Sequence, residues 1–371
     1  MQATVRYGIV GLGAWGRCYA NAIQQSCLTG VPASDVTLTA IATGKEETVA
    51  AVQAEFPDAA VVADHRNLVT RDDVDVVAVV APNHLHYAIC TDALNAGKHL
   101  LVEKPFTLTV EDCEALIRLA DAKKCHLMVG HQFRLSSLWG KIKELIDDGF
   151  LGRPKYALIE LSRNPYRQGD DGWRYDQKRV GNWILEEPVH FLDLACWYFE
   201  KFAQPVSLYA SANQSGCASG TGQNAGSAAG ATIPKLYDNL SAVINFSDGS
   251  HATVAQTLSA FEHHQTVKIS GTCGALWAGW SGALDRTRHP DFFLKTFDGN
   301  QCHQRNNEVV TVPITKMTGE LYELEDQIAL MADVVRGKAE VHCTGKDGCR
   351  SVMLSNAAQE SARTGNVIKL T

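Results

Sequence analysis

No stretch of the 371 residues stays apolar for the roughly 18 positions that a membrane-spanning helix requires, so no membrane partner is expected. Nor is there a CxxC pair among the eleven cysteines, which number Cys18, Cys27, Cys90, Cys113, Cys125, Cys196, Cys217, Cys273, Cys302, Cys343 and Cys349. Their odd count and scattered spacing argue against a zinc ribbon or a disulfide scaffold, and they read as small buried apolar residues in a reducing compartment. Basic residues are in deficit, with 34 Lys and Arg against 41 Asp and Glu and a formal charge of −7. That balance speaks against a nucleic-acid surface, and any anionic ligand must be met locally. The opening MQATVRYGIVGLG passes straight into a strand without the charged-then-apolar order of a signal segment, so the expected location is cytoplasmic. No repeat of solenoid period occurs. What is present is ordinary globular composition, 45% apolar and 20% charged, in a chain longer than a single core usually serves. Two domains are expected.

The first part alternates strand-like and helix-like runs. Strands are expected at Val5–Val10, Val36–Ala42, Ala60–Val62, Val74–Val80, His99–Val102 and Leu127–Val129. Helices are expected at about Gly13–Gln25, Glu46–Glu55, His84–Ala96 and Val110–Lys123. Continuous apolar strands separated by helices imply a doubly wound parallel sheet covered on both faces. Beyond residue 130 a helix near Ser137–Asp148 precedes longer alternating runs at Pro154–Leu161, Leu240–Phe246, His251–Leu258 and Thr266–Ile269, which read as an open, mainly antiparallel sheet. The fold class is therefore α/β, with a Rossmann domain over 1–130 and a substrate-binding and oligomerisation α/β domain over 131–371. The Gly-, Ser- and Ala-rich segment Ser211–Ala231 reads as a long surface excursion. A closing helix around Gly348–Thr364 can pack on either domain.

Gly11-Leu12-Gly13-Ala14-Trp15-Gly16 is a GxGxxG run placed after a strand and before a helix. In that context Gly11 permits the tight turn, Gly13 lets the backbone approach a pyrophosphate, and Gly16 lets helix and strand pack closely, while the helix N-terminus meets the anion. The position that closes the second strand holds Thr43 rather than the acid that would bond a ribose 2′-hydroxyl, and Lys45 follows it. This favours NADP over NAD, with Glu46 and Glu47 pulling the other way.

Val102-Glu103-Lys104-Pro105 after the fifth strand resembles the Gfo/Idh/MocA oxidoreductases, the family of glucose-fructose oxidoreductase and inositol dehydrogenase. The resemblance extends over GLGAWG, APNHLHYAICTDALNAGKHLLVEKPF, HQFR, GFLGRP, EEPVHFLDLACWYF and SARTGNVIKL. It implies a cofactor site that includes Pro82, Asn83, His86, Glu103 and Lys104, and a hydride transfer in which Lys104 and His190 meet at the nicotinamide. An imidazole with an ordinary pKa near 6.5 suits proton removal from a hydroxyl, and a fixed cation suits a developing alkoxide. The family commonly has an aspartate four residues before this histidine; here Glu186 stands there, followed by Glu187 and Pro188. Asp193, three residues after His190, shares its helical face if a helix begins there, and either orients the imidazole or serves structure.

Arg163, Tyr166, Arg167, Trp173, Arg174, Tyr175 and Trp183 form a dense mixture of cations and aromatics just ahead of His190. Arginines of this kind hold an anionic group and the aromatics cover a sugar ring; alternatively they pair with Asp170, Asp171 and Asp176 in a solvated loop. Glu187 joins them as a substrate-binding candidate. His84 and His86 lack a third ligand at suitable spacing, so no metal is expected, and His263-His264 reads as a solvated strand end. Two enzyme readings remain open. One is NAD(P)-dependent oxidation of a secondary alcohol on a sugar, sugar acid or inositol. The other is a glycosidase that retains its cofactor and works through transient oxidation, elimination and hydration, with Tyr166 and Tyr175 as candidate extra acid or base groups. The resemblance implies a homodimer or homotetramer.

Overall fold

A computed structural model describes residues 4–24, 35–214, 236–260, 262–282, 287–299 and 308–370. The elements run β1 (Val5–Val10), α1 (Ala14–Gln24), β2 (Val36–Ala42), α2 (Val49–Glu55), β3 (Ala60–Val62), α3 (His65–Val69), β4 (Val76–Val79), α4 (His86–Asn95), β5 (His99–Glu103), α5 (Val110–Lys123) and β6 (Leu127–Gly130). There follow α6 (Trp139–Asp147), β7 (Pro154–Ser162), α7 (Gln177–Val180), α8 (Pro188–Phe199), β8 (Pro205–Asn213), β9 (Asn239–Phe246), β10 (His251–Thr257), β11 (His263–Gly271), β12 (Gly274–Gly282), β13 (Asp291–Asp298), β14 (Val309–Thr311), α9 (Glu320–Val335), α10 (Gly345–Thr364) and β15 (Ile368–Lys369).

Packing divides the chain into unit 1, residues 1–132 with 320–352, and unit 2, residues 133–319 with 353–371. A single boundary at 130/131 misses that return of the chain. Its physical cause is the apolar stripe of α9: Leu324, Ile328, Met331 and Ala332 are buried in one cluster with Val5, Tyr7, Ile9 and Tyr19. The Tyr7 hydroxyl also donates to the Ile328 carbonyl (2.7 Å), so a core tyrosine depends on α9 for its partner. The division falls inside α10, between Val352 and Met353.

The sheet of unit 1 has six strands, all paired parallel, in the order β3-β2-β1-β4-β5-β6. The order reverses between β1 and β4, the place where open α/β sheets leave a crevice at their strand C-termini. Local signals set the helices. Thr109 caps α5 by accepting from the Asp112 amide, Glu111 and Asp112 complement its first turn, and Lys124 ends it in the left-handed region at φ 56°.

Unit 2 carries a nine-stranded sheet in the order β14-β13-β12-β11-β7-β10-β9-β8-β15. It is antiparallel except where β7 lies parallel to β10. Inward positions of the central strands alternate as strand geometry requires: Ala157, Ile159 and Leu161 on β7, Ala252 and Val254 on β10, Val267 and Ile269 on β11. They pack with α8, which is buried along its whole length, in keeping with a helix that is apolar nearly all round. β8 and the strands from β12 to β15 were not anticipated from sequence. The Gly- and Ser-rich excursion begins in β8 at Ser211, and from residue 215 onward it lies outside the described residues.

Candidate functional site

In unit 1 the glycine run turns from β1 into α1. Gly11 has φ 99°, a left-handed conformation that favours glycine, and a Cβ there would lie 2.6 Å from the Val80 carbonyl oxygen. A Cβ on Gly16 would lie 2.0 Å from the Gly11 carbonyl oxygen, so helix and turn touch through bare backbone. Gly13, by contrast, has nothing among the described residues within 4 Å of its would-be Cβ, and it and Ala14 are exposed at the start of α1. The turn is rigid on one side and open on the other. Beside it lies a cleft of about 390 Å³ whose lining includes Gly11, Thr43, Pro82, Asp64, His65 and Arg66. These residues fit a dinucleotide: free backbone at a helix N-terminus for the pyrophosphate and a cleft at the switch point for the nucleoside.

The expected cofactor residues fall into two groups. Gly11, Thr43 and Pro82 line the cleft, whereas Lys45 is exposed beyond it and Asn83 is buried. The Thr43 hydroxyl donates to the Lys45 carbonyl (2.8 Å). Glu103 is a buried anchor. Its Oε1 accepts from Trp15 Nε1 (2.8 Å) and the Tyr19 hydroxyl (2.6 Å), its Oε2 accepts from the Lys104 amide, and Gln327 of α9 donates to the same tyrosine. Burial first, and the Glu103 charge next, push the Tyr19 phenol well above its usual range. His86, expected at the cofactor, is buried with Nδ1 2.8 Å from the Pro105 carbonyl and Nε2 2.8 Å from the Ala81 carbonyl. Both ring nitrogens are thereby turned to backbone, and burial holds its pKa below 6.5. The Lys104–Pro105 peptide that His86 abuts is cis, and Lys104 itself is half-buried.

Asp64, His65 and Arg66 were missed. Asp64 caps α3 by accepting from the Arg66 amide, and the Arg66 guanidinium binds the same carboxylate through Nε and Nη2. These bonds hold the Asp64 carboxyl down at about 2. The sequence signal was Asp-x-Arg after a short strand, recognisable as a cap but silent on the cleft.

In unit 2 the aliphatic inner face of the sheet becomes polar at one end. Arg163 follows Leu161, Gln256 follows Val254, and Gln265 and His263 precede Val267; all four polar residues are buried. In register, Leu161 stands between Gln256 and Gln265. The N-terminus of α8 supplies the rest. Pro188 opens the helix, Glu187 precedes it, and His190 sits in its first turn, its ring stacked on Phe133 at 4.6 Å. Three arginine–carboxylate pairs gather here. Arg134 holds Asp193 through two bonds of 2.7 Å, Arg163 Nη1 donates to Glu187 Oε2 (2.5 Å), and Arg174 Nε donates to Glu186 Oε2 (2.7 Å).

Several expectations change here. Arg163 and Arg174 have carboxylate partners in Glu187 and Glu186 rather than forming a bare anion cradle. Trp173 and Trp183 are buried with Tyr166, Val180, Leu236 and Leu258 in a small apolar cluster. Tyr175 packs on the same cluster and donates to the Tyr166 carbonyl (2.8 Å), and Arg167 is exposed. His263 is no solvated strand end: it is buried, edge-on to Trp280 at 5.1 Å.

The chain thus joins a parallel sheet with a glycine turn at its switch point to a second sheet with a polar end. Residues 5–131 match the family model described as the oxidoreductase family, NAD-binding Rossmann fold, and residues 143–370 match that of its C-terminal alpha/beta domain. The chain belongs to the GFO/IDH/MocA oxidoreductase family. It is similar to the uncharacterized oxidoreductase YdgJ of Escherichia coli, 30% identical over 210 residues, which is 56% of either chain. It thus spans only about half the length of that relative. It is also 25% identical to the inositol 2-dehydrogenase of Rhizobium meliloti over 365 residues, 96% of this chain and 97% of that one. Among solved structures, levoglucosan dehydrogenase in complex with NADH and L-sorbose has the same fold, with a TM-score of 0.81 at 19% identity over the full length of both chains. Among the described residues no helix is long and apolar enough to cross a membrane.

Proposed function

We propose that this chain oxidises, or in reverse forms, a secondary alcohol on a sugar or polyol, with Lys104 and His190 as the chemical pair. One observation carries the reading: a buried polar end on the unit 2 core, with His190 in the first turn of a helix and hydrogen-bonding side chains around it. Such a wall recognises hydroxyls by direction. Relatives named as inositol and levoglucosan dehydrogenases support the same substrate class. A bound nicotinamide supplies the hydride acceptor. His190 takes the hydroxyl proton and Lys104 holds the negative charge that develops on oxygen. Glu186, held by Arg174, is the counterpart of the family's aspartate and fixes the acidic side of the site.

NADP is the inferred cofactor, because Thr43 leaves no acid at the end of β2 to bond a ribose 2′-hydroxyl; Arg66 in the cleft is shared with Asp64 through Nε and Nη2, and its exposed guanidinium edge is the cation nearest to hand for a 2′-phosphate. The glycosidase alternative is weaker, since both tyrosine hydroxyls that would supply its extra acid or base are engaged, Tyr166 with Gln256 and Tyr175 with the Tyr166 carbonyl.

Calorimetry with NAD and NADP separately, followed by a screen of polyols, sugars and aryl glycosides at 340 nm, tests the assignment. A sustained absorbance rise with a free polyol or sugar is expected. Glycoside cleavage without net absorbance change would install the alternative, and failure to bind either dinucleotide would remove both. Lys104→Ala is expected to abolish turnover with cofactor binding retained; a variant that still turns over refutes the chemical pair.

A further inference from the structure

We propose that Glu187 and Gln256 form a hydroxyl-reading subsite within unit 2 that selects an uncharged polyol over the matching sugar acid or phosphate, an inference that rests on the dehydrogenase reading above. Four side chains are linked in sequence. Glu187 Oε2 accepts from Arg163 Nη1 at 2.5 Å, the Arg163 guanidinium lies over the Tyr166 ring at 4.9 Å, and the Tyr166 hydroxyl donates to Gln256 Oε1 at 3.1 Å. The two ends of this chain are open. Glu187 Oε1 and Gln256 Nε2 are buried side-chain atoms without a hydrogen-bond partner among the described residues, in residues only 5% and 4% exposed. An orphan buried acceptor or donor costs about 1–3 kcal/mol, so two on one linked cluster mark places where ligand atoms complete the network.

The chemistry of the pair is specific. A carboxylate oxygen accepts and an amide NH₂ donates, and a hydroxyl can satisfy either because it is donor and acceptor at once. A carboxylate or phosphate group on the ligand has no proton for Glu187. The charge inventory points the same way: Arg134, Arg163 and Arg174 each already hold a carboxylate, so none of these guanidiniums is left uncompensated for an anion. Gln256 was invisible in the sequence because it closes an alternating strand. Its position is inward, in phase with Ala252 and Val254, where an apolar residue would otherwise continue the core.

The test uses the full chain with its cofactor and compares matched neutral and acidic substrates, such as inositols and aldoses against uronic acids, together with monodeoxy analogues of whichever polyol turns over. In the parent protein kcat/KM is expected to favour the neutral member by about a hundredfold, and Glu187→Gln is expected to narrow that gap by about tenfold because Arg163 loses its carboxylate. Loss of one particular hydroxyl should cost the parent about three- to tenfold in kcat/KM and cost Gln256→Leu nothing further. Equal or better turnover of the acid overturns the proposal, as does a Gln256→Leu variant that loses the same factor on every analogue, the mark of a structural role. Should Gln256→Leu not fold, the same deoxy series with Glu187→Gln decides. A polyol that turns over without any such coupling defeats this inference alone, whereas bound cofactor with no turnover of any alcohol defeats the dehydrogenase reading and this with it.

Discussion

The two units handle polarity in opposite ways. In unit 1 the turn beside the cleft is shaped by backbone, through Gly11, Gly13 and Gly16, and an ion pair in the cleft lining, Arg66 with Asp64, stands at the surface with Arg66 73% exposed. In unit 2 the polar wall is made of side chains, and Arg134 with Asp193 is buried to 3% and 1% exposure. A backbone cradle recognises a ligand part that is constant, whereas a wall of paired side chains can change its preference one residue at a time. Stability should therefore depend on glycine geometry in the first unit and on charge pairing in the second.

The strongest test of that contrast is Asp193→Ala, which takes from the buried Arg134 the carboxylate that holds it through two bonds. A loss of about 3–5 kcal/mol is expected in denaturant unfolding of unit 2. A loss below 1 kcal/mol would show that the pair is not what holds that wall.

Next are the glycines, which separate folding from binding. Gly16→Ala forces a methyl against the Gly11 carbonyl and should cost about 1–3 kcal/mol of stability. Gly13→Ala meets nothing among the described residues, so its unfolding midpoint should stay within error while dinucleotide affinity falls about tenfold by calorimetry. Equal affinity in that variant would place the pyrophosphate elsewhere.

Acid should find unit 1 through its histidines. Burial lowers the pKa of His86 and of His99, the latter stacked at 5.0 Å on His126. The folded state thus binds fewer protons than the unfolded chain below the ordinary value. Stability is full above about pH 6.5 and declines as pH falls from there toward the folded pKa values. Melting temperature followed from pH 7.5 to 5 should drop, and His99→Gln should flatten part of the slope; an unchanged slope rules His99 out.

The smallest effect is expected from Arg66→Ala. Its pair is exposed, so the unfolding midpoint should stay within error, while NADP affinity weakens more than NAD affinity. Equal weakening of both would remove Arg66 from cofactor choice.

How much of this was legible in the sequence depended on the range of the interactions. The parallel sheet follows from local patterns, since each apolar run of β1, β2 and β5 is short, continuous and flanked by its own turn. The glycine turn was equally plain because a single motif carries its whole geometry. Pairings across the chain were not legible. That Arg163 meets Glu187 and Arg174 meets Glu186 depends on how the segment ahead of α8 folds back, and the nearby aspartates offered equally good charges. Gln265 and His263 carried a faint signal, polar residues in the aliphatic phase of a strand, which also fits a strand that has simply ended. The return of α9 to the first unit had no local signature, because its apolar stripe specifies that it packs but not on what.

That return also governs the order in which the molecule can be completed. Residues 1–132 hold every strand of the six-stranded sheet, yet Leu324, Ile328 and Met331 of its core, and the carbonyl that receives the Tyr7 hydroxyl, come from a helix encoded almost 200 residues later. During synthesis at about 5–20 residues per second, the first sheet therefore waits on the order of ten seconds or more for its last layer. All residues of unit 2 up to Gly319 emerge in that interval. The half of the protein that is translated first is finished late, and a chain cut after residue 132 would expose the apolar bed of α9 to whatever else is in solution.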